Sequence, residues 1–232
     1  MLSIETINQF YGDSHTLWDL SLSVPTGSCT CLMGRNGVGK TTTLKCIMGL
    51  QPLRSGTIHF NDVCLSNETA ESRAPLKVGY VPQGREIFPR LSVDENLRIG
   101  FGVCEPNAAR DAYERVLEIF PVLRKMLRRN GGDLSGGQQQ QLAIGRALIL
   151  EPELLILDEP TEGIQPNIVH EIGEVIVRLN REQGLTVLLV EQKLPLARHV
   201  ADRFCILEKG RSVATGEMDD LDSSLIKEYL TV

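Results

Sequence analysis

The chain has 232 residues, 42% of them hydrophobic and 23% charged, with a net charge of −6. This is ordinary globular composition at a length that suits one large domain, or a domain with a lobe inserted, and it excludes a disordered or fibrous chain. A sequence-independent nucleic-acid binder is usually basic, so the acidic balance argues against DNA or RNA as a partner.

The opening "MLSIETINQFYG" has no basic region followed by an apolar run, so no secretory leader is expected there. No stretch reaches 18 consecutive apolar residues, so no membrane-spanning helix is expected either. The six cysteines lack zinc-like or redox spacing and are expected to be packing residues of a reducing compartment. Cys29 and Cys31 stand two apart in an apolar run, which on a strand puts them on one face.

That run leads into "GRNGVGKTTT", which contains Gly34-x-x-x-x-Gly39-Lys40-Thr41. An apolar strand before it and an amphipathic segment after it are the context a phosphate-binding loop requires. Glycines let the backbone curl so that its N–H groups point at phosphate oxygens, and a helix starting near Lys40 adds its positive end. The expected ATP-binding residues are Gly34, Asn36, Gly37, Gly39, Lys40, Thr41 and Thr42. Lys40 should reach the β- and γ-phosphates, the Thr41 hydroxyl should bind Mg2+, and Thr42 should donate to the α-phosphate.

Further on, "NAARDAYERVLEIF" repeats apolar residues at Ala112, Val116, Ile119 and Phe120, a helical spacing. "DLSGGQQQQLAIGRAL", from Asp133 to Leu148, is less usual, because Gln138 to Gln141 look like the start of a low-complexity tract. A helix that opens with Ser135-Gly136-Gly137-Gln138 nevertheless presents bare backbone N–H groups and a hydroxyl, which makes a second anion site. Two phosphate-binding devices so far apart in one chain are explained most economically if they meet across two chains, with one ATP between them.

"ELLILDEP" has four apolar residues, Leu154 to Leu157, ahead of Asp158 and Glu159. A short unbroken apolar run fits a parallel strand buried on both faces, with its carboxylates emerging at the end where open α/β sheets bind ligands. Asp158 should hold Mg2+ through water, and Glu159 should polarise the attacking water as general base. "NIVHEIGEVIVRLNREQG" follows as a helix with one buried face at Ile168, Ile172, Val175, Ile176 and Leu179. "LTVLLVE" and "RFCILEKG" are expected strands, and the acidic "GEMDDLDSS" an expected solvated turn.

These motifs, in this order, resemble the ATP-binding subunits of ABC transporters over essentially the whole chain, with "LSGGQ" as that family's signature. The resemblance implies an α/β fold: a P-loop NTPase with a RecA-like core, an antiparallel β subdomain that includes "SGTIHFNDVCL", and an inserted α-helical subdomain. It implies a single ABC ATPase domain over residues 1–232, with the core and β subdomain in about 1–84 and 145–232 and the helical subdomain in about 85–144. It implies that Tyr11 stacks on adenine. Gln83, in "GYVPQGREIF", would sense the γ-phosphate, join Thr41 and Asp158 at the metal, and contact the transport subunit. Ser135, Gly136, Gly137 and Gln138 would serve the partner's ATP in trans, leaving Gln139 to Gln141 as exposed positions on that helix. The implied cofactors are ATP and Mg2+. The implied partners are a second ABC ATPase subunit in a heterodimer, transmembrane permease subunits and, indirectly, a substrate-binding protein, with no nucleic acid. The implied location is peripheral, on the cytoplasmic side of a bacterial inner membrane.

Two positions depart from the family pattern. Most members place a histidine two residues after the strand "LTVLLV", where this chain has Gln192, which joins Glu159 and Gln83 in the expected catalytic set. Most also end the loop after "DEPT" in Asp, where this chain has Gln165. Glutamine donates a neutral hydrogen bond but cannot become cationic or relay a proton. Both changes point to a site that hydrolyses slowly or leans on its partner. The same departures are similar to the smaller ATPase subunit of branched-chain amino-acid importers. Within that group "NQFYG", "LWDL", "CTCLMGRNGVGKTT" and "EQKLPLARHVADRFCILEKGR" are similar to the urea-import type, which makes urea the expected solute and branched-chain amino acids the alternative. Two competing readings are a soluble ABC ATPase acting on nucleic acid or ribosomes, and a clamp that binds ATP without hydrolysis. The single cassette and acidic balance argue against the first, and Glu159 against the second.

Overall fold

Residues 2–230 are described by the computed structural model, and ten strands run through them in two sheets. In chain order the strands are β1 (Leu2–Tyr11), β2 (Ser14–Val24), β3 (Cys29–Met33), β4 (Ser55–Phe60), β5 (Val63–Cys64), β6 (Val78–Val81), β7 (Leu154–Asp158), β8 (Thr186–Val190), β9 (Arg203–Glu208) and β10 (Arg211–Glu217). The first sheet is antiparallel in the order β2-β1-β4-β5. The second has the order β10-β9-β3-β8-β7-β6, with parallel neighbours throughout except the antiparallel edge strand β10.

The apolar runs explain the layering. All five residues of β3, β7 and β8 are buried, as a sheet covered on both faces requires. Their side chains alternate between two cores. Cys29, Cys31, Met33, Leu155, Leu157, Val187 and Leu189 face a core shared with the helices. Leu32, Leu154, Ile156, Leu188 and Val190 face a core shared with the antiparallel sheet. The α-helices among the described residues are α1 (Lys40–Ile47), α2 (Val93–Arg98), α3 (Pro106–Ile119), α4 (Pro121–Arg124), α5 (Gly136–Leu148), α6 (Pro166–Arg181), α7 (Leu194–Val200) and α8 (Ser223–Leu225). α1 contributes Leu44 and Ile47 to the second core, and α6 contributes Ile172, Ile176 and Leu179 to the first. The fold is a mixed α/β core with an antiparallel β subdomain and a group of helices inserted between β6 and β7. Cys29 and Cys31 do share a face, and all six cysteines are free. Burial pushes the Cys46 thiol up to about 12, which keeps it protonated and inert.

Two expectations need correction. Gln139 to Gln141 are not exposed: Gln139 is half-buried, and Gln140 and Gln141 are 3% and 5% exposed. α5 packs against α2, α3, α4 and α6, so even its polar positions are enclosed. Gln141 donates to Glu171 and Gln139 to the Gly131 carbonyl, while Gln140 Nε2 and Gln141 Oε1 have no hydrogen-bond partner among the described residues. Nor is "GEMDDLDSS" a solvated turn throughout. Met218 and Leu221, three apart at a turn of 3-10 helix (Met218–Asp220), are buried in the helical core, while the acidic residues between them stay outside.

One buried cation holds the sheet-to-helix junction. Arg73 is 2% exposed, and its guanidinium donates to the carbonyls of Ile47 at 2.7 Å, Leu65 at 2.9 Å and Thr69 at 3.0 Å. Ile47 ends α1, where free carbonyls and the negative end of the helix favour a cation. Arg73→Leu leaves these buried acceptors unmatched and is expected to cost about 3 kcal/mol or more in urea unfolding. A loss below about 0.5 kcal/mol, the range of ordinary surface changes, would contradict this role.

Candidate functional site

The parallel order puts three strand ends side by side. Leu32 of β3 pairs with Val190 of β8, and Asp158 of β7 pairs with the same Val190. The segments that leave β3, β7 and β8 therefore open into one cleft, as open α/β sheets arrange their ligand sites. Its volume is about 620 Å3, and its lining includes Thr16, Asn36, Gly37, Gly39, Lys40, Thr41, Thr42, Gln83, Glu159, Glu162, Glu191, Gln192 and Lys193. A larger cavity, about 690 Å3, lies at the other end of the sheet around Arg115, Glu153 and Thr186 and is lined by none of the residues from Gly34 to Thr42.

The loop after β3 needs its glycines. At Gly34, φ is +141° and a side chain would strike the Leu207 carbonyl oxygen at 2.4 Å. At Gly39, φ is +110° and a side chain would strike Leu17 at 2.7 Å. These are conformations that other residues rarely adopt. Lys40, 5% exposed, donates to the carbonyls of Gly34 at 2.8 Å and Arg35 at 3.0 Å, and lies 3.6 Å from Glu159. Burial lowers its pKa, while the Glu159 carboxylate pulls the other way. The ammonium is thus held over the loop, between its carbonyls and Glu159.

Asp158 is the clearest sign of a cation. It is 1% exposed, and neither carboxylate oxygen has a hydrogen-bond partner among the described residues. Burial pushes its pKa up to about 6, with the Thr41 hydroxyl pulling it down and the Glu159 charge pushing it up. A buried, unmatched carboxylate beside a threonine hydroxyl is a fitting pair of oxygen donors for Mg2+, which takes few protein ligands and keeps the rest as water and phosphate. Among the described residues no cluster of three His, Cys, Asp or Glu could hold a metal ion.

A stability prediction follows. In the folded state Asp158 keeps its proton from the ordinary carboxylate range up to about 6, so its contribution is lost as pH rises through that window. Asp158→Asn removes the buried charge and should therefore stabilise the protein without Mg2+ by about 1–3 kcal/mol at pH 8. The same change should abolish the extra thermal stabilisation given by Mg2+ over ATP alone. Destabilisation without Mg2+ would contradict the account.

Glu159 stands in a strained turn, with φ at +47°, of the kind that tends to gather at functional sites. Its carboxylate accepts from Gln192 Nε2 at 2.6 Å, and the same nitrogen donates to Asn36 at 2.7 Å. One glutamine amide nitrogen carries two hydrogens, and both are used to tie the P-loop to Glu159. Gln192 is held in turn by Glu191, a 3% exposed carboxylate that accepts from the Gln192 and Lys193 N–H groups at 2.8 Å and from the Thr161 hydroxyl at 2.7 Å. Lys193 closes the ring by donating to the Thr161 carbonyl at 2.9 Å. Gln83 donates to Glu162 at 3.0 Å. Thr16, Glu162, Glu191 and Lys193 were not expected from the sequence; a carboxylate directly after the strand "LTVLLV" was the one available signal, for Glu191. Gln165, the second departure, is the N-cap of α6 and does not line the cleft.

Tyr11 ends β1, is 42% exposed and lies outside the cleft lining. Ser135, Gly136, Gly137 and Gln138 also lie outside it. Ser135 is the N-cap of α5: its hydroxyl accepts from the Gln138 N–H at 3.4 Å, and its own N–H donates to Gln138 Oε1 at 3.0 Å. Gly137 is where α5 meets α6, and a side chain there would strike Ile168 at 2.8 Å.

Comparison with known proteins gives a consistent picture. A family model described as "ABC transporter" matches residues 17–162. The high-affinity branched-chain amino acid transport ATP-binding protein BraG of Pseudomonas aeruginosa is 39% identical over 97% of this chain and 95% of its own. The probable branched-chain amino acid transport ATP-binding protein LivF of Archaeoglobus fulgidus is 34% identical over 95% of this chain and 94% of its own. The ADP conformation of MJ1267, an ATP-binding cassette of an ABC transporter, superposes with a TM-score of 0.83 at 26% identity, covering 98% of each chain.

Proposed function

We propose that this chain, which belongs to the ABC transporter family, uses its ATPase activity to drive solute import through membrane permease subunits, working as one half of a pair of ATPase subunits. The carrying observation is the cleft lined by Lys40, Thr41, Glu159 and Gln192, with the buried Asp158 beside Thr41 and Glu159 at the end of β7. In this reading the P-loop N–H groups and Lys40 bind the phosphates of ATP. Asp158 and the Thr41 hydroxyl would hold Mg2+, which would supply neutralising charge to the phosphates. Glu159 accepts a proton from water as its oxygen attacks the γ-phosphorus, and ADP departs with the bridging oxygen. Gln192 orients Glu159 and bridges it to Asn36. Because both Gln192 hydrogens are hydrogen-bonded and neither can leave as a proton, it adds no proton relay, and hydrolysis at this cleft is slow beside that of a histidine-bearing partner. Tyr11 is assigned to the adenine and Gln83 to the γ-phosphate and metal.

Ser135, Gly136, Gly137 and Gln138, outside their own chain's cleft, are assigned as the family signature to the nucleotide of the second subunit. No helix among the described residues is long and apolar enough to cross a membrane, which supports peripheral attachment through the permeases. For the solute, the named relatives favour branched-chain amino acids and cover nearly the whole chain. Urea is the second reading, favoured by the segment from Glu191 to Arg211. Vesicles that hold the assembled importer, loaded with Mg-ATP and a binding protein, test both with labelled leucine and labelled urea. ATP-dependent uptake of one of them names the solute class, and uptake of neither in an ATP-hydrolysing complex overturns both solute readings.

A further inference from the structure

We infer that Arg85 is a positioning residue that couples the nucleotide cleft of this chain to the N-terminus of its own helix α5. The inference rests on the ATPase reading above and extends it to a residue outside the P-loop, the carboxylates and the signature.

Three consecutive residues, Gly84, Arg85 and Glu86, have φ of +80°, +73° and +46°. Two of them carry side chains, so this backbone persists only because its surroundings hold it. The restraints are visible. The Arg85 N–H donates to the Pro82 carbonyl at 3.0 Å, and the Glu86 carbonyl accepts from Arg146 at 2.8 Å. The conformation aims the Arg85 side chain between two segments. One guanidinium arm donates to the Gln139 side-chain oxygen at 3.1 Å, and the other to the Glu162 backbone carbonyl at 3.3 Å. The same guanidinium lies 3.2 Å from where a side chain at Gly136 would begin.

These contacts join two places that meet different nucleotides. Glu162 lines this chain's cleft, and its carboxylate accepts from Gln83 at 3.0 Å. Gln139 is the fourth residue of α5, next after Ser135-Gly136-Gly137-Gln138. Glu162 is thus held at its carboxylate by Gln83 and at its carbonyl by Arg85, and Arg85 passes that position on to Gln139. A phosphate that draws Gln83 away from Glu162 alters one end of this chain of contacts, and Arg85 transmits the change to the start of α5. A rigid planar fork suits the task because it satisfies two separate oxygens in fixed geometry, where a lysine would reach one. Both acceptors are neutral oxygens, so the full positive charge stays beside Gly136, on the face that the reading assigns to the partner's phosphate.

Hydrogen exchange on the full chain tests this, at a concentration where sizing shows monomer, with and without Mg-ATP. Wild type, R85A and R85K are compared, with melting temperature as the check on folding. In wild type, Mg-ATP should slow exchange in the P-loop peptide and also, by about threefold or more, in the peptide covering Asp133 to Leu142. In R85A the P-loop slowing and the ATP affinity should stay within about twofold of wild type, while the effect on the α5 peptide disappears. R85K, with one reachable acceptor, should keep only part of that effect, and it decides the matter should R85A fail to fold. An α5 response in R85A or R85K equal to that of wild type overturns the role of Arg85, as does a wild-type chain whose P-loop responds to Mg-ATP while α5 does not. A wild-type P-loop that does not respond to Mg-ATP at all overturns the ATPase reading itself.

Discussion

Glu159→Gln is expected to leave Mg-ATP bound while slowing hydrolysis at this chain's cleft by about 10²–10⁴-fold, the usual contribution of a positioned general base. The side chain keeps its size and its place next to Gln192, but its new amide cannot accept a proton from water. Two local changes work alongside the lost base. The 3.6 Å ion pair with Lys40 disappears, which frees the ammonium for phosphate and favours tighter ATP binding. The Gln192 nitrogen, now 2.6 Å from a carboxylate oxygen, keeps an acceptor if the new amide turns its oxygen toward it. With binding intact and chemistry stalled, the ATP-bound pair of subunits should accumulate and elute as a dimer in sizing with Mg-ATP. Monomer alone, under conditions where ATP is shown to be bound, would contradict the closed-pair account.

Lys40→Ala is expected to act on the other side of the ledger, removing binding rather than chemistry. Its ammonium is 5% exposed and has as its neighbours two loop carbonyls and Glu159. A charge-assisted contact to phosphate in such a desolvated place is among the stronger polar interactions. Its loss should weaken ATP binding by about 100-fold, which corresponds to about 2.7 kcal/mol. Truncation also leaves Glu159 without its cation and frees the Gly34 and Arg35 carbonyls, so the loop itself should loosen. Equilibrium binding within about twofold of wild type would sink the assignment of the phosphate cradle.

What the sequence made legible follows from how local each feature is. The P-loop was legible because its glycines, lysine and threonine are adjacent in the chain and serve one backbone shape. The run Leu154 to Leu157 was legible because a strand buried on both faces must be apolar at every position. The ring of Glu191, Thr161 and Lys193 was not, because its members come from two different strand ends and meet only once β7 and β8 pair. The burial of Gln140 and Gln141 was missed for a related reason. Polar residues on a helix suggest solvent, but α5 packs against four other helices, and Gln140 and Gln141 are enclosed between them. The left-handed backbone of Glu159, Arg85 and Glu86 has no sequence signal at all, since none of these residue types favours it. Gln192 was seen as a loss relative to histidine. The structure adds what glutamine supplies instead, two hydrogen bonds from a single nitrogen, one to the loop and one to the base.

The central claim is that this chain's own cleft hydrolyses ATP, with Glu159 as base and a neutral Gln192 limiting the rate. The most direct test is single-turnover hydrolysis by this chain paired with its second ATPase subunit, the latter carrying glutamine in place of its catalytic glutamate so that only the present cleft can turn over. The account predicts slow but measurable phosphate release, abolished by Glu159→Gln and raised severalfold by Gln192→His, since a charge-assisted hydrogen bond is worth roughly twice a neutral one. No release above that of the Glu159→Gln pair, in a complex that binds Mg-ATP normally, would contradict it.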